Sequence, residues 1–405
     1  MEKRNIPFSP PDITEREIEE VAQALRSGWI TTGPRVKKLE RLMAQYCHSP
    51  AFVCLNSATA AEELNLRMLD LQPGDEVLVP AYTYTASASA VIHCGATVRF
   101  VDCQKDSPEM DYDQMEAAIN EHTKAIVPVD LGGIPCDYER IFKAVENKKD
   151  LFTPYGQIQK ALGRIAVVAD SAHSLGASRK GKMTGEIADF TSFSFHAVKN
   201  LTTAEGGGSC WRTLEGISDE ELYHRYQLYS LHGQSKDALA KSKADSWEYD
   251  IIGPWYKCNM TDVAAAMGLV QFERYGDMLK RREQIVRSYD ELCDQLGIAH
   301  LQHFGADFTS SLHLYLIWLD GFDHERRCQF IQAMAEQGVA CNVHYKPLVM
   351  MTAYRNLGWD IADFPNAWHL YENVVTLPLY SRMSDDDLEY VVASLKKVYE
   401  QMKRK

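Results

Sequence analysis

Residues 52–80 read FVCLNSATAAEELNLRMLDLQPGDEVLVP. An apolar run at 52–55 is followed by an amphipathic stretch at 60–69 and by a second apolar run at 76–80, which is the pattern of a strand, a helix and a strand. Both runs are apolar at nearly every position, whereas a half-exposed strand alternates polar and apolar residues. We therefore expect strands of a parallel sheet that helices cover on both faces.

The same alternation continues along the chain. Helical patterns occupy residues 84–94, 110–119 and 138–145, and strand-like runs occupy residues 97–102, 125–130, 165–170 and 190–195. This repetition predicts the α/β class, with a large, doubly wound and mostly parallel sheet. The segment 148–164 interrupts it between a helix and a strand, and we interpret that segment as a surface excursion.

The second part of the chain has a different character. Long amphipathic helices dominate beyond about residue 215, the longest over residues 262–296, where Gly268 and Gly276 are expected to interrupt the helix. A smaller α+β unit then follows, with predicted strands at 311–319 and 339–345 and predicted helices at 324–337 and 384–402. We expect a large domain over residues 1–250, and the long helices with a small C-terminal domain over residues 251–405.

The composition of the 405-residue chain narrows its class of function. The formal net charge is −13, and no basic run precedes the C-terminal KKVYEQMKRK, so we expect no nucleic-acid binding. The ten cysteines are dispersed without a C-x-x-C pair, which argues against a metal site and favours a reducing compartment. No signal peptide is visible, and no apolar run approaches the ~18 to 20 residues that span a bilayer. We expect a cytoplasmic protein that does not bind membranes.

Two charged residues follow neighbouring predicted strands. Asp170 ends the run IAVVAD, and Lys199 comes shortly after FTSFSFH. In an open α/β sheet the carboxyl ends of the strands face the ligand crevice, so both side chains can converge there. A structural ion pair or a helix cap would explain them. They would also suit a pyridoxal-phosphate enzyme, in which a lysine links covalently to the cofactor aldehyde and an aspartate keeps the pyridine nitrogen protonated.

Such a cofactor needs a phosphate anchor and a surface for its ring. Residues 56–59, NSAT, follow a strand and open a helix, where Ser57, Thr59 and free backbone amides suit a phosphate, although an ordinary N-cap has the same pattern. Ser194 could add a hydroxyl to that phosphate. Tyr82 and Tyr84 precede the next helix and suit either ring stacking or the core.

Taken together, these segments resemble the DegT/DnrJ/EryC1/StrS family of sugar aminotransferases. The resemblance runs in the family's order from about Pro7 to the last helix. The matching segments are SGWITTGP at 27–34, NSATAA at 56–61, PAYTYTASASAV at 80–91, VADSAHSLGA at 168–177, SFHAVKNLTTAEGGG at 194–208, WYKCNMTDVAAAMGLVQ at 255–271, SLHLYLIWL at 311–319 and VHYKPL at 343–348. It implies the type I fold of pyridoxal-phosphate-dependent transferases, which is that of aspartate aminotransferase.

The resemblance also implies roles for individual residues. Lys199 matches the lysine that links to pyridoxal 5′-phosphate (PLP), and Asp170 matches the partner of the pyridine nitrogen. His173 occupies the position of a residue that reaches the ring hydroxyl, and Tyr84 that of an aromatic residue stacked on the ring. The residues that match the phosphate cradle are Ser57, Ala58, Thr59 and Ser194.

One matching segment departs from the family pattern. Where many relatives have GYNYRM, this chain has WYKCNM, so that Lys257 replaces an Asn and Asn259 replaces a common Arg. In the family this segment reaches the phosphate of the other subunit, which implies a homodimer with shared active sites. A lysine can serve a phosphate as a point charge, so Lys257, with Asn259, remains the expected contact across the interface.

The resemblance implies the reaction as well. Glutamate is the expected amino donor, and the acceptor is the ketone of a nucleotide-linked sugar, with the aminated cofactor (PMP) as the intermediate carrier. The expected sugar is a UDP-linked 2-acetamido-2,6-dideoxy-4-keto-hexose for surface polysaccharide, which His344 and Tyr345 would contact.

Other functions are compatible with parts of this pattern. The alternatives are a dTDP-4-keto-6-deoxyhexose or 3-keto-sugar aminotransferase, a PLP-dependent sugar dehydratase, which would have His in place of Lys199, and a non-catalytic nucleotide-sugar sensor, which would lack Lys199 or Asp170. A nicotinamide-dependent dehydrogenase is disfavoured because GGG at 206–208 lacks the G-x-G-x-x-G spacing.

Overall fold

A computed structural model of the protein describes residues 3–236 and 248–403. The strands of its largest sheet are β1 (Phe52–Leu55), β2 (Glu76–Pro80), β3 (Thr97–Val101), β6 (Thr123–Ile126), β7 (Ala166–Asp170), β10 (Phe190–Ser194) and β11 (Gly207–Trp211). Their order in the sheet is β1-β11-β10-β7-β6-β2-β3. The β10-β7, β7-β6, β6-β2 and β2-β3 pairs are parallel, and β11 is antiparallel to both of its neighbours. The mostly parallel α/β sheet predicted from the sequence is confirmed.

The directions of the strands bring the carboxyl ends of six strands, all except β11, to one edge of the sheet. Because β11 runs antiparallel to both β1 and β10, those two strands point the same way, as β7 and β2 also do. Ser57, Asp170 and Ser194 therefore lie at the same edge, together with the turn that follows β2. This is the edge at which doubly wound sheets bind their ligands.

Helices cover the sheet as the apolar pattern predicted. Helix α3 begins directly after β1 and packs against β10 and β11. The helices that precede the long helix are α1 (Glu15–Arg26), α2 (Pro34–Tyr46), α3 (Ala58–Met68), α4 (Thr85–His93), α5 (Tyr112–Ala118), α6 (Tyr138–Asn147), α7 (Gly156–Leu162), α8 (Thr184–Ile187) and α9 (Asp219–Ser230). Short 3-10 helices lie at Leu131–Gly133 and Lys149–Leu151. Segment 148–164 thus contains a 3-10 helix and α7, and the Gln159 side chain donates to the backbone oxygen of Leu69 at 2.6 Å.

The predicted interruption of the long helix is wrong. Helix α10 (Asp262–Leu296) runs without a break through both glycines and ends at Gly297, which adopts a left-handed conformation. At Gly268 a Cβ atom would lie 2.9 Å from the side chains of Leu39 and Thr203, so glycine at this position permits close packing rather than ending the helix. The α10 helix packs against α1 and α2.

The C-terminal part contains a three-stranded sheet, β12-β14-β15. Residues 339–345, predicted as a strand, instead form isolated bridges from Val339 to Ile6 and from Asn342 to Thr376. Strands β12 (Ala299–His300) and β15 (Val374–Leu377) were not predicted from the sequence. The elements here are β12 (Ala299–His300), β14 (Tyr315–Trp318), β15 (Val374–Leu377), α11 (His324–Glu336), α12 (Thr352–Arg355), α13 (Pro365–Asn373), α14 (Asp385–Lys403) and 3-10 helices at Leu348–Met350 and Ile361–Asp363.

Short strands pair away from these two sheets. They are β4 (Cys103–Gln104) with β5 (Ser107–Met110), and β13 (Phe308–Thr309) with β8 (Ser178–Arg179) and β9 (Lys182–Met183). Over residues 3–236 and 248–403, no helix combines the length and apolar composition needed to cross a membrane. The predicted boundary between residues 250 and 251, which separates the large domain from the C-terminal part, stays a prediction.

Candidate active site

A cavity of about 490 Å³ opens at the carboxyl edge of the large sheet. It gathers most of the residues that the sequence singled out, although they are spread over nearly 290 positions of the chain. The predicted residues that line it are Ser57, Ala58, Thr59, Tyr84, Asp170, His173, Ser194, Lys199, His344 and Tyr345. The structure thus brings ten of the twelve predicted site residues together.

The wall formed by the start of α3 has the properties of an anion site. Ser57 is the N-cap of the helix, and its hydroxyl accepts a hydrogen bond from the amide of Ala60 at 3.1 Å. The first amides of a helix have no acceptor within the helix, and its dipole favours a negative charge there. Gly207 of β11 lies so close that a Cβ atom would be 2.4 Å from the amide nitrogen of Ala58. The backbone of this cradle is therefore held by a neighbouring strand.

Asp170 is buried at the end of β7, and hydrogen bonds hold its carboxylate on both oxygens. Oδ2 accepts from the hydroxyl of Ser87 at 2.7 Å, and Oδ1 accepts from the amide of Ala172 at 3.2 Å. The carboxylate lines the same cavity as Lys199. A fixed carboxylate in a buried position suits a protonated ring nitrogen, because it offers a charge-assisted hydrogen bond of defined direction.

Lys199 lies in a turn just beyond β10, and its amide donates to the backbone oxygen of His196 at 2.9 Å. Burial lowers the pKa of Lys199 from 10.5 to about 8, against the opposing effect of the negative charge on Asp170. An amine with this pKa is partly neutral near physiological pH, as a nucleophile or a proton carrier must be.

His173 is fixed in one tautomer by its contacts. The amide of Gly132 donates to Nδ1 at 3.2 Å, so the ring proton is on Nε2, which faces the hydroxyl of Tyr345 at 3.3 Å. Burial, with the charge of Lys199 nearby, holds the pKa of His173 well below its usual range. The imidazole is therefore neutral and presents an N–H group as a donor.

His344 and Tyr345 also line the cavity. The Nδ1 atom of His344 lies 3.0 Å from the hydroxyl of Thr376, and burial lowers the pKa of His344 to about 4. The ring of Tyr345 is nearly parallel to that of His173, and burial raises the pKa of its hydroxyl. The segment 339–345 therefore places polar groups in the cavity, although it does not form the predicted strand.

The structure distinguishes the two tyrosines that precede α4. Tyr84 is exposed and lines the cavity, with its ring 6.0 Å from that of Tyr345. Tyr82 is fully buried and donates a hydrogen bond to the backbone oxygen of His344 at 3.0 Å. Tyr84 is accordingly available for a bound ring, whereas Tyr82 belongs to the core and supports the loop at 344.

Lys257 and Asn259 lie outside the cavity lining of their own chain. The Lys257 amine is hydrogen-bonded to the side-chain oxygen of Asn259, whose amide nitrogen donates to the hydroxyl of Thr32 at 2.5 Å. Lys257 is exposed. Among the described residues of one chain, these are the only two predicted site residues that do not line the cavity. Their contact with a partner subunit stays a prediction.

Several residues of the site were not found from the sequence. The additional cavity-lining residues are Glu62, Thr83, Ala86, Val129, Ala172, His196, Val198, Glu205 and Gly206. Ser87 was also missed. Nothing in the segment TASASA distinguishes Ser87, which donates a hydrogen bond to Asp170, from Ser89, which does not. Glu62 has a detectable signal, since it is a charged residue at helical spacing from the apolar residues Leu66 and Leu69.

Comparison with known proteins agrees with this geometry. Residues 11–396 match the model of the DegT/DnrJ/EryC1/StrS aminotransferase family. The chain belongs to this family. The fold and the family predicted from the sequence are confirmed, and so is pyridoxal phosphate as the cofactor, on which this family depends.

Individual relatives match over almost the full length. Spr1654 of Streptococcus pneumoniae, described as a sugar aminotransferase and solved in a PMP form, is 54% identical, with a TM-score of 0.95 and 99% of each chain covered. The spore coat polysaccharide biosynthesis protein SpsC of Bacillus subtilis is 36% identical, with 98% of each chain covered. The UDP-4-amino-4-deoxy-L-arabinose--oxoglutarate aminotransferase of Shewanella sediminis is 32% identical, with 98% of this chain and 99% of the relative covered. The chain is thus a PLP-dependent sugar aminotransferase.

Proposed function

We propose that the protein transfers the amino group of glutamate to the C4 ketone of a UDP-linked 2-acetamido-2,6-dideoxy-4-keto-hexose. The observation that carries the proposal is the convergence of Lys199, Asp170 and the cradle at Ser57 in one cavity. The residues fit pyridoxal phosphate, since the cavity offers an amine of lowered pKa, a fixed buried carboxylate and an open helix N-terminus. When bound, this cofactor supplies an electron sink that carries the amino group between the two substrates.

Lys199 holds the central chemical role in this proposal. Its amine forms the covalent link that anchors the cofactor, and after a substrate displaces it, the neutral amine carries a proton to and from the reacting carbon. The pKa of about 8 supports both tasks, because the neutral and the protonated form are both accessible near neutral pH. Because the amino group leaves the donor, and the donor's keto acid departs, before the acceptor binds, ping-pong kinetics are expected.

The other residues orient the ring and its phosphate. Asp170 keeps the ring nitrogen protonated, and Nε2 of His173 donates to the ring hydroxyl. Ser57, Thr59, Ser194 and the amide of Ala58 bind the phosphate, and Tyr84 stacks on the ring. The support for these roles is that all seven residues line one cavity and that His173 is held as an Nε2–H donor by Gly132.

The choice of substrate is supported by the relatives. One relative is named for a UDP-linked amino sugar and for oxoglutarate, the product left when glutamate gives up its amino group, and another for spore coat polysaccharide. His344 and Tyr345 are the proposed contacts of the sugar. Assays with UDP-linked and dTDP-linked 4-keto and 3-keto sugars, with glutamate as the donor, test this choice. Turnover of the dTDP-linked or 3-keto substrates alone would contradict it.

We further propose a cytoplasmic homodimer with shared sites, in which Lys257 and Asn259 of one subunit reach the phosphate of the other. The support is that both residues occupy positions of the family segment with this role, although their residue types differ from the family pattern, and that they lie outside their own cavity lining. Mixing inactive Lys199→Ala and Lys257→Ala dimers tests it. Subunit exchange should restore activity, because a mixed dimer contains one site with both natural residues, and no recovery after demonstrated exchange contradicts shared sites.

The covalent role of Lys199 has a direct test. Borohydride reduction of the holoenzyme, followed by peptide mapping, should place the cofactor label on Lys199 and nowhere else. A label on another lysine, or the absence of any label in a protein that has bound the cofactor, contradicts the proposal. The absence of a label would favour the alternatives in which no lysine links to the cofactor, namely the dehydratase or the non-catalytic sensor.

A further inference from the structure

Glu62 is a buried acid in the wall of the cavity, and nothing in the reaction outlined above uses it. It lies in the second turn of α3, five residues after the N-cap Ser57, and is only 1% exposed. It lines the same cavity as Asp170 and Lys199. A second carboxyl group so close to Asp170 requires an explanation, because two buried negative charges repel each other.

The hydrogen bonds around Ser192 indicate the protonation state of Glu62. Ser192 Oγ lies 2.5 Å from Oε2 of Glu62 and 3.2 Å from the backbone oxygen of Ala169. A serine hydroxyl has one proton, so it can make only one full hydrogen bond as a donor. If Glu62 carries a proton, it donates to Ser192 Oγ, and Ser192 in turn donates to Ala169. Every contact then has a donor and an acceptor.

The second oxygen of Glu62 leads to the same conclusion. Oε1 is buried and has no hydrogen-bond partner among the described residues. An unpaired oxygen of an ionised carboxylate is far more costly to bury than one of a neutral acid. Burial, with the charge of Asp170 as a second cause, also raises the pKa of Glu62 well above its usual value.

The chain of hydrogen bonds ends at the backbone that carries Asp170. Ser192 of β10 is paired with Asp170 of β7 in the parallel register. Its hydroxyl reaches the oxygen of Ala169, and its backbone oxygen accepts from the amide of Ser171 at 3.0 Å. The two peptide groups that flank Asp170 are therefore both held by Ser192, which Glu62 in turn holds.

We propose that Glu62 is a neutral carboxylic acid that donates its proton to Ser192, and that it acts as a positioning residue for Asp170. Because Glu62 is neutral, Asp170 is the carboxylate that meets the ring nitrogen without a competing charge beside it. The part that concerns the cofactor rests on the proposed function, whereas the protonation of Glu62 is a property of the protein alone.

Infrared spectroscopy of the apoprotein tests the protonation directly. The difference spectrum between the wild type and Glu62→Gln should show the carbonyl stretch of a protonated carboxylic acid, which the substitution removes. Glu63→Gln is the matched control, because Glu63 is the next residue of α3 and is paired with Arg67 at 2.9 Å. Its difference spectrum should lack that band. Absence of the band for Glu62→Gln overturns the proposal.

Titration of the apoprotein with pyridoxal phosphate tests the positioning role. Glutamine is neutral and keeps a donor toward Ser192, so Glu62→Gln should retain the dissociation constant within about twofold and an unchanged absorbance spectrum of the bound cofactor. Glu62→Leu and Ser192→Ala should each weaken binding about tenfold, and the double variant should be no weaker than either, because both break one chain of hydrogen bonds.

The outcomes separate the two proposals. If Glu62→Gln weakens binding as much as Glu62→Leu, or if the two defects simply add, the positioning role is wrong. If the wild-type apoprotein does not bind pyridoxal phosphate, the proposed function fails, while the infrared result still decides the protonation. If Glu62→Leu does not fold, Ser192→Ala decides the positioning role, because it breaks the same chain of hydrogen bonds, and unchanged cofactor binding in that variant overturns it.

Discussion

The hydroxyl of Ser87 donates a hydrogen bond to Oδ2 of Asp170 at 2.7 Å and so joins α4 to the carboxyl end of β7. The same hydroxyl lies 3.1 Å from the hydroxyl of Thr83, and both side chains are buried. The carboxylate assigned to the ring nitrogen is therefore oriented by a helix that begins one residue after Tyr84. One short segment thus supplies both the face of the ring site and the support for Asp170.

Ser87→Ala should weaken the binding of pyridoxal phosphate about tenfold, because a hydrogen bond to a charged group contributes roughly 1.5–3 kcal/mol. Fluorescence titration of the apoprotein measures the dissociation constant. Ser89→Ala is the control on the same helix, since the Ser89 hydroxyl donates only to the backbone of its own helix, at 3.4 Å from the oxygen of Ala86. Equal dissociation constants for both variants would show that Ser87 does not orient Asp170.

Lys199 should make the stability of the apoprotein depend on pH in a defined window. Its pKa falls from 10.5 to about 8 on folding, so between these values the unfolded chain binds a proton that the folded chain lacks. The free energy of unfolding should therefore rise with pH from about 8 to about 10.5, relative to Lys199→Met. Across this window the difference in unfolding free energy between the two proteins should change by about 3 kcal/mol, in favour of the protein with Lys199 as the pH rises. Urea unfolding across this range measures it, and a pH-independent difference between the two proteins would contradict the lowered pKa.

Replacement by alanine should lower cofactor affinity at one glycine and raise the stability of the protein at another. Gly207→Ala places a methyl group 2.4 Å from the amide nitrogen of Ala58, so the phosphate cradle must shift and cofactor affinity should fall at least about tenfold. In Gly276→Ala, nothing lies within 4 Å of the new Cβ atom in the interior of α10. That variant should be stabilised by about 0.5–1 kcal/mol with unchanged affinity. Calorimetry and cofactor titration of both variants provide the comparison.

The ion pair between Arg164 and Asp189 should stabilise the region between β7 and β10. Asp189 is buried, accepts two hydrogen bonds from Arg164 at 2.7 Å each, and accepts a third from the amide of Val167 at 2.9 Å. Asp189→Asn leaves the guanidinium without its counter-charge and should cost about 3–5 kcal/mol in unfolding free energy. Asp113→Asn, at an exposed pair with Arg140, should cost less than about 1 kcal/mol. Similar losses in both variants would contradict this difference.

The local sequence pattern predicted an element correctly where its residues have a single structural role. Short runs that are apolar at nearly every position predicted covered strands, and the runs at 52–55, 76–80 and 165–170 correspond to β1, β2 and β7. It failed where a residue has two uses. Gly268 was expected to interrupt a helix, but it serves close packing against Leu39, which depends on a helix more than 200 residues away.

The sequence by itself determined the fold class, the family and the set of residues around Lys199 and Asp170, because strand ends and helix starts are encoded by short-range pattern. Only the tertiary structure decided which polar groups meet. The contacts of Ser87 with Asp170, of Gly132 with His173 and of Glu62 with Ser192 span 41 to 130 positions of the chain. Such contacts arise from the order of the strands and the register of their pairing, which local periodicity does not contain.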